Sequence, residues 1–339
     1  MRKIIIIISC ILLTASCIKE IEMPIGKVES KVYLECFPYE GADITYIKLA
    51  RTVPTNQQPS SAELKIRKLS MKVNGRNIEV LSQESNGKMN YYTYHPFLPE
   101  DEVELTVEAD GLETAYSKTR VLEGPVFTLE REISKFDVIH RLSVTRPEDG
   151  EKEHQYGFAV RERMHQETKS HGSVISTAKD DNWMPLNFTK PFVQYEGMPG
   201  YGNMAEVMMN GRDMVVFQLD DTSETLDVEF SVPFKRNNYV TDNLSDTTFF
   251  RYSYDVEVYV FDKETYRHLN PKGNQFLIGA GLTPPYTNAC NVKGGYGMLG
   301  SAGMSSTGWL PNVDESLVNG GIYSDGIQDR SGSAGKASR

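Results

Sequence analysis

The stretch LSMKVNGRNIEVL, residues 69–81, is the feature that most constrains the fold of this chain. Apolar and polar residues alternate on both sides of Asn74-Gly75. An alternation of period two is typical of a strand with one buried face. Asn-Gly supplies the two positive φ angles of a type I′ turn, the commonest two-residue hairpin connection. The stretch therefore predicts two antiparallel strands that turn at residues 74 and 75.

Similar patterns fill the first third of the chain. KVYLECF at residues 31–37 places its apolar side chains on one face, and the aromatic-rich NYYTYHPF stops at Pro96. A second hairpin, EVELTVEADGLETAY, turns at Asp110-Gly111. No amphipathic helix interrupts these short strands. The pattern predicts an immunoglobulin-like β-sandwich over residues 31–122.

The region over residues 123–315 is patterned more loosely. YGFAVRERM, MVVFQL, LDVEFSV and RYSYDVEVYVF alternate as strands, and long polar segments separate them. One short helix is predicted at DKETYRHL, with Asp262 as its N-cap. We therefore expect an all-β, mainly antiparallel protein whose second β-rich domain has long loops and a short helix. The Gly/Ser-rich residues 316–339 are predicted to be disordered.

The N-terminal segment has the features of a signal peptide at residues 1–16. Two basic residues precede the apolar run IIIIISCILLTAS, which is too short to span a bilayer. Ala15-Ser16-Cys17 resembles a bacterial lipobox, after which Cys17 would carry diacylglycerol and palmitate. Thr14 stands where a lipobox usually has Leu, and a plain secretory signal cut near Ala15 is the alternative. The lipid would hold the protein on a membrane.

The segment after Cys17 would form an acylated tether over residues 17–30. Lys19, Glu20 and Glu22 resemble the surface-export signals of Bacteroidota lipoproteins. The alternative is a solvated tether that carries no export signal, since such a tether would also be charged. The pattern favours a surface-exposed protein over a periplasmic one.

Two cysteines remain beyond the tether, Cys36 and Cys290. In an oxidising compartment they could form a disulfide between the first strand and the C-terminal region. The alternative is two isolated small apolar residues. The chain contains no Cys/His spacing typical of a metal site, and we expect no metal.

Charge and glycine spacing argue against nucleic acid and nucleotides as ligands. The chain has 46 acidic and 36 basic residues, a formal net charge of -10, whereas phosphate-backbone binding needs a basic footprint. Gly295, Gly297 and Gly300 have the G-x-G-x-x-G spacing, but SAGMSSTGWLP follows, without a helical pattern. A dinucleotide site requires a helix there. We interpret the glycines as close backbone packing near the end of a sheet, and we expect no cofactor.

The contiguous motifs of common catalytic sites are absent from the sequence. His154, His165 and His171, together with the acid pairs Asp180-Asp181 and Asp220-Asp221, are interpreted as solvated residues. The sequence therefore predicts a non-catalytic protein. The alternative is a surface hydrolase active on glycans, whose carboxylates converge from distant strands.

The long segments of the second region are the predicted binding loops, over residues 165–210 and 284–310. An aromatic side chain in such a loop can form a platform for a sugar or a partner, or it can pack onto its own core. These alternatives stay open for the candidate ligand or partner residues, which are Trp183, Tyr201, Tyr286 and Trp309.

Three features together resemble a known family. They are the lipobox before KVYLECF, the hairpin segment LTVEADG, and VEVYVFDKETYRHL followed by PPYTNACNVKGGYGMLGSAG. Over roughly residues 17–310 the chain resembles the Bacteroidota lipoproteins with domain of unknown function 4249. The resemblance implies an outer-membrane lipoprotein, often encoded beside a TonB-dependent transporter and so an accessory in nutrient capture. It implies no catalytic residue. A purely structural envelope protein is a third interpretation.

Overall fold

The computed structural model describes residues 29–53, 64–85, 87–134, 136–145, 155–190, 204–218, 225–235, 238–241, 246–269, 289–311 and 322–325. Strands dominate this part of the chain, and α1 (Lys263–Leu269) is its short helix. The predicted all-β, mainly antiparallel class is confirmed. In chain order the strands are β1 (Val32–Cys36), β2 (Thr45–Arg51), β3 (Ile66–Val73), β4 (Arg76–Ile78), β5 (Leu81–Ser85), β6 (Lys88–Thr93), β7 (Glu102–Ala109), β8 (Ala115–Arg120), β9 (Phe127–Ile133), β10 (Asp137–Thr145), β11 (Gln155–Ser170), β12 (Ser173–Trp183), β13 (Asn187–Lys190), β14 (Met204–Met209), β15 (Arg212–Gln218), β16 (Thr225–Pro233), β17 (Asn238–Thr241), β18 (Asp246–Phe261), β19 (Gly295–Leu299), β20 (Ala302–Ser306), β21 (Leu310–Pro311) and β22 (Ile322–Asp325).

The first two sheets enclose one apolar core. One sheet has the strand order β19-β1-β2-β6-β5, and the other has β4-β3-β7-β8. Alternate side chains of β1 and β7 are buried, because each strand turns one face toward the facing sheet. The core takes side chains from both sheets, among them Val32, Leu34, Met71, Val103 and Leu105.

The hairpin predicted at Asn74-Gly75 is confirmed. Asn74 and Gly75 have φ angles of 51° and 76°, as a type I′ turn requires. Met71 pairs with Ile78 and Val73 pairs with Arg76 across the turn. The second hairpin is also confirmed, with β7 and β8 antiparallel around Gly111.

The glycine-rich segment near the C-terminal end forms β19, which lies parallel to β1 in the first sheet. Leu34 is paired with Gly297. Gly297 has a φ of 108°, and a Cβ at this position would overlap the carbonyl oxygen of Leu34. The interpretation of these glycines as close backbone packing is confirmed. Residues 295–299, which the sequence placed in the second region, thus complete the first sheet.

The second pair of sheets encloses another core. The smaller sheet has the order β13-β16-β10-β9-β22. The larger has β14-β15-β11-β18-β17, with β12 also paired to β11 and with β20 and β21 paired to β18. Side chains from both sheets meet in one cluster that includes Leu142, Phe158, Phe230, Val256 and Val258.

The larger sheet is buried on its other face as well. Residues that directly follow β1, Phe37 and Tyr39, pack there against Tyr259 and Phe261 of β18. The rings of Tyr39 and Tyr259 meet edge to face, with centroids 5.6 Å apart. This third cluster joins the first pair of sheets to the second, because the chain leaves β1 directly into it.

The helix predicted at DKETYRHL is confirmed. The Asp262 carboxylate accepts a hydrogen bond of 2.6 Å from the backbone N–H of Thr265, as an N-cap does. Tyr266 of α1 belongs to the third core cluster. Among the described residues, no helix has both the length and the apolar composition needed to cross a membrane.

Two expectations about irregular segments are wrong. Residues 165–182, part of the predicted binding loop over residues 165–210, form a β-hairpin, in which β11 and β12 turn at His171-Gly172 with φ angles of 49° and 80°. These angles suit a two-residue turn, and the β-branched residues of β12 favour a strand. Residues 322–325 of the tail, predicted to be disordered, form β22 because β9 offers them a free edge. The remaining tail lies outside the described residues.

His140 is a buried histidine of the second core. Its ring stacks on Phe230 with centroids 5.2 Å apart, and no part of it is exposed. Burial, together with the nearby charge of Arg131, lowers the pKa of His140 to about 3. His140 is therefore neutral in the folded protein at physiological pH.

The close pairing of β1 and β19 predicts a large effect of Gly297→Ala. The added Cβ is strained by the positive φ and also meets the Leu34 carbonyl, so we expect a loss of roughly 2–4 kcal/mol in the free energy of unfolding. Chemical denaturation measures this loss. Gly111→Ala is the control, because its φ of 68° is also positive but no atom lies within 4 Å. Equal losses in the two variants would contradict the role of the close approach.

The lowered pKa of His140 predicts a loss of stability in mild acid. Between about pH 6.5 and pH 3 the unfolded chain binds a proton at this histidine and the folded protein does not. Stability is thus complete above pH 6.5, and about 2 kcal/mol of it is lost on acidification to pH 5. In His140→Phe, which preserves the ring packing, the loss between pH 7 and pH 5 should be smaller by this amount. A variant with the full wild-type loss would show that another group causes it.

Candidate functional site

Both tryptophans of the chain lie in one stack with three arginines. The guanidinium carbon of Arg161 lies 5.5 Å from the ring centre of Trp183 and 5.1 Å from that of Trp309. Arg163 covers Trp309 at 3.8 Å, and Arg212 lies 5.6 Å from Trp183. Cations and rings thus alternate. We call this cluster the Arg–Trp stack, in the order Arg212, Trp183, Arg161, Trp309 and Arg163.

Strand register explains why these side chains meet. Arg161 and Arg163 are two residues apart on β11, so both point to the same face. Trp183 of β12 is paired with Arg161 across the hairpin. Trp309 follows β20, and β20 is paired with the side of β18 that faces away from β11. The stack therefore ties together strands that enter the sheet from distant parts of the sequence.

Buried acids neutralise the arginines of the stack. Arg161 is 2.8 Å from Asp255 and 2.9 Å from Glu257, and Arg212 is 3.1 Å from Glu257. The Tyr259 hydroxyl donates to Glu257 and accepts from Arg212 at 2.9 Å. The side chains of Asp255 and Glu257 are 3% and 0% exposed. Burial raises the pKa of Glu257, against the opposing effect of the two arginines.

The outer end of the stack is also paired. Arg163 donates two hydrogen bonds to the Asp181 carboxylate, at 2.7 Å and 2.6 Å. This bidentate pair lowers the pKa of Asp181 through hydrogen bonding and charge. Each arginine of the stack thus has an acidic partner. Asp181, interpreted as a solvated residue, is instead a structural partner of β11.

The candidate aromatic residues are brought together only in part. Trp183 packs on the third core cluster, and two arginines lie near its ring. Of the two alternatives for this residue, the structure therefore agrees with packing on its own core. It ends β12, and Trp309 lies between β20 and β21. Tyr201 and Tyr286 lie outside the described residues, as do the predicted lipidation and export residues Cys17, Lys19, Glu20 and Glu22.

The two cysteines do not pair. Cys36 is a buried free thiol and Cys290 is an exposed one. Cys36 points into the first core, whereas Cys290 lies at the surface, so the two thiols stay apart in this structure.

A second carboxylate is held near α1. Burial alone would raise the pKa of Glu35, but hydrogen bonds with His268, Lys48 and Tyr33 outweigh it and lower the pKa to about 2. His268 Nδ1–H donates to the Ala289 carbonyl at 2.9 Å, and its Nε2 lies 3.3 Å from Glu35. Glu35 is therefore an ionised anchor for the helix.

Beyond the Arg–Trp stack, the long strands continue into a sheet that takes no part in the three cores. Its described side chains are half-buried or exposed, except for the buried Thr248. Val174, Ile175 and Val240 are 52%, 59% and 47% exposed. We call it the distal sheet, formed by residues 163–170 of β11, 173–181 of β12, 238–241 of β17 and 246–253 of β18.

The predicted binding region therefore consists of regular strands where the structure describes it. Within the segment 165–210, the strands β11 to β14 replace the expected loops. Sequence reasoning missed Arg161, Arg212, Asp255 and Glu257, because charged residues in alternating strands are expected to face water. A usable signal was that two basic residues occupy alternate positions in RER of β11, and two acidic residues occupy alternate positions in DVE of β18.

The comparisons with known proteins agree with the resemblance stated from the sequence. A family model described as "Domain of unknown function (DUF4249)" matches residues 18–307. No curated protein and no solved structure matches the chain. The described residues contain no group of three or more His, Cys, Asp or Glu side chains that could hold a metal ion.

Loss of one buried acid should destabilise the Arg–Trp stack. Glu257→Gln leaves Arg161 with Asp255 and removes the acidic partner of Arg212, so we expect a loss of about 3 kcal/mol in the free energy of unfolding. Both tryptophans lie in the stack, so their fluorescence reports this change during denaturation. Glu100→Gln is the control, since its ion pair with Arg120 is exposed and its loss should cost less than about 0.5 kcal/mol. Similar losses in both variants would contradict the structural role of the stack.

Proposed function

We propose that this chain, which belongs to the family described as domain of unknown function DUF4249, is a non-catalytic binding protein of the cell envelope. It is held on the outer membrane by lipid at Cys17 and faces the cell surface. There it serves as an accessory to a TonB-dependent transporter. The distal sheet is the surface that meets the partner.

The chemistry of the buried acids supports a binding role over hydrolysis. A glycoside hydrolase needs two carboxyl groups that reach the sugar. Asp255 and Glu257 are almost fully covered and are bonded to arginines. Glu35 is ionised and is held by three hydrogen-bonding neighbours. These acids stabilise the fold and are not available as a general acid and base.

The observation that carries the proposal is the exposure of apolar side chains on the distal sheet. Sheets in a globular protein normally bury at least one face, since only burial of apolar side chains offsets the entropy cost of ordering the chain. The distal sheet keeps exposed apolar residues such as Val174 and Ile175, and the Arg–Trp stack ties its strands together at one end. An ordered surface of this kind is suited to a partner that covers it.

The position of the N-terminus is compatible with this arrangement. The described chain begins at residue 29, directly before β1, so an anchor at Cys17 would enter the molecule there. The other end of β1 leads through Phe37 and Tyr39 to the larger sheet. The distal sheet lies further along β11 and β18, beyond the Arg–Trp stack.

Replacement of the lipidated cysteine tests the anchor. In the native host, Cys17→Ala should abolish incorporation of radiolabelled palmitate and remove the protein from the outer-membrane fraction, because no thioether-linked lipid can form. Cys10→Ala, within the signal peptide, is the control and should keep the label. Wild-type protein that carries no palmitate and is recovered from the medium would contradict the anchor.

Co-purification from native membranes tests the partner. Tagged wild-type protein should bring down a TonB-dependent transporter, whereas the double variant Val174→Lys and Ile175→Lys should recover at least tenfold less, because it charges the exposed apolar surface. Val126→Lys is the control, since Val126 is 65% exposed and lies outside the distal sheet. A wild-type preparation without any outer-membrane transporter would argue against the proposed function.

A further inference from the structure

We propose that the distal sheet binds its partner by strand addition, with an extended acidic segment of the partner pairing with the free edge of β12. The inference deepens the proposed function by naming the kind of partner segment that this surface fits. It is carried by two separate features of the distal sheet, the backbone edge of β12 and a row of basic side chains that ends on that edge.

The edge of β12 is open within the described part of the chain, and its first six residues lack the usual protection. β12 is paired with β11 on one side, and no described residue pairs with its other side. Natural sheets protect such edges with charge, proline or short strands. Residues 173–178 of β12 contain neither charge nor proline, and the described side chains there are exposed. Unpaired N–H and C=O groups on a long, ordered strand are the site for strand addition.

A row of basic side chains, which we call the cationic row after its residues Lys179 and Arg251, runs across the sheet to this edge. His165 of β11 is paired with Lys179 of β12 on one side and with Arg251 of β18 on the other. Residues paired across neighbouring strands point to the same face, about 5 Å apart. The three side chains therefore lie side by side, and Lys179 stands at the edge.

The acids next to this row have other partners. Asp181 is held by Arg163, and Glu167 lies 3.0 Å from the Lys169 ammonium group. Lys179, His165 and Arg251 form no ion pair or side-chain hydrogen bond within the described residues, although Glu167 and Asp181 attract them electrostatically. Lys179 and Arg251 lie on opposite sides of His165, so their two positive charges stand on one strip of the sheet. An acidic side chain on an added strand, opposite Lys179, would form an ion pair with it.

The charge of the whole chain adds selectivity. With a formal net charge of -10, most of the surface repels an acidic segment, and the cationic row attracts it. The row alone would suit any polyanion, including an acidic glycan. The edge of β12 favours a polypeptide over a glycan, because its regularly spaced backbone donors and acceptors are complementary to another polypeptide strand. Both features together favour an acidic polypeptide.

A synthetic peptide tests the inference on the full chain. The probe is a nine-residue peptide of alternating threonine and glutamate, and its counterpart carries glutamine in place of every glutamate. Binding is followed by isothermal titration calorimetry and by hydrogen exchange of the backbone amides. We expect the acidic peptide to bind at least tenfold more tightly and to slow exchange within residues 173–182. Absence of binding by both peptides at millimolar concentration would overturn the proposal.

Charge reversals locate the binding site. Lys179→Glu and Arg251→Glu should each weaken binding of the acidic peptide at least tenfold and leave the glutamine peptide unaffected. Lys88→Glu, on β6 of the first sheet, is the control and should change affinity less than twofold. The milder Lys179→Gln and a thermal melt of each variant separate a loss of binding from a loss of folding. Equal weakening by Lys88→Glu would overturn the assigned site.

The mode of binding is tested with dextran sulfate, a polyanion without a peptide backbone. It can engage the cationic row but cannot pair with β12, so exchange within residues 173–182 should stay unchanged. An acidic peptide that binds without slowing exchange there would overturn strand addition and assign a simple polyanion site. Peptide binding with no transporter in the co-purification would overturn the proposed function alone.

Discussion

The ion-paired Arg–Trp stack is the interaction on which the second half of the molecule depends. Arg161 joins two tryptophans on one side and two buried acids on the other, so a single guanidinium links β11, β12, β18 and the segment after β20. A buried charge is tolerated only when it is fully paired. The correct register of all these strands is therefore required at once, and the distal sheet begins where the stack ends.

The fold is closed by contacts between distant parts of the chain. β19 lies against β1 through Gly297, and Phe37 and Tyr39 pack on the larger sheet directly after β1. The two pairs of sheets are thus connected through the same short segment. Such long-range pairing fixes the position of the long strands relative to β1.

Local patterns predicted much of the fold and little of the candidate site. The hairpin at Asn74-Gly75 and the cap at Asp262 depend on neighbouring residues, so sequence reasoning found both. The hairpin at His171-Gly172 was missed because its polar strands bury no face and lack the usual alternation. Trp183 and Trp309 were singled out separately, but nothing local indicated that they share Arg161. The acids Asp255 and Glu257 resemble surface residues in the sequence.

The sequence by itself determined the all-β class, the first hairpins, the short helix and membership of a family, because these follow from periodicity, turn chemistry and motifs read along the chain. Tertiary structure alone decided that β19 completes the first sheet, that Cys36 and Cys290 stay apart, and that three basic side chains align beside the open edge of β12. The physical reason is that burial and charge pairing depend on which strands become neighbours. In this protein those neighbours come from opposite ends of the chain.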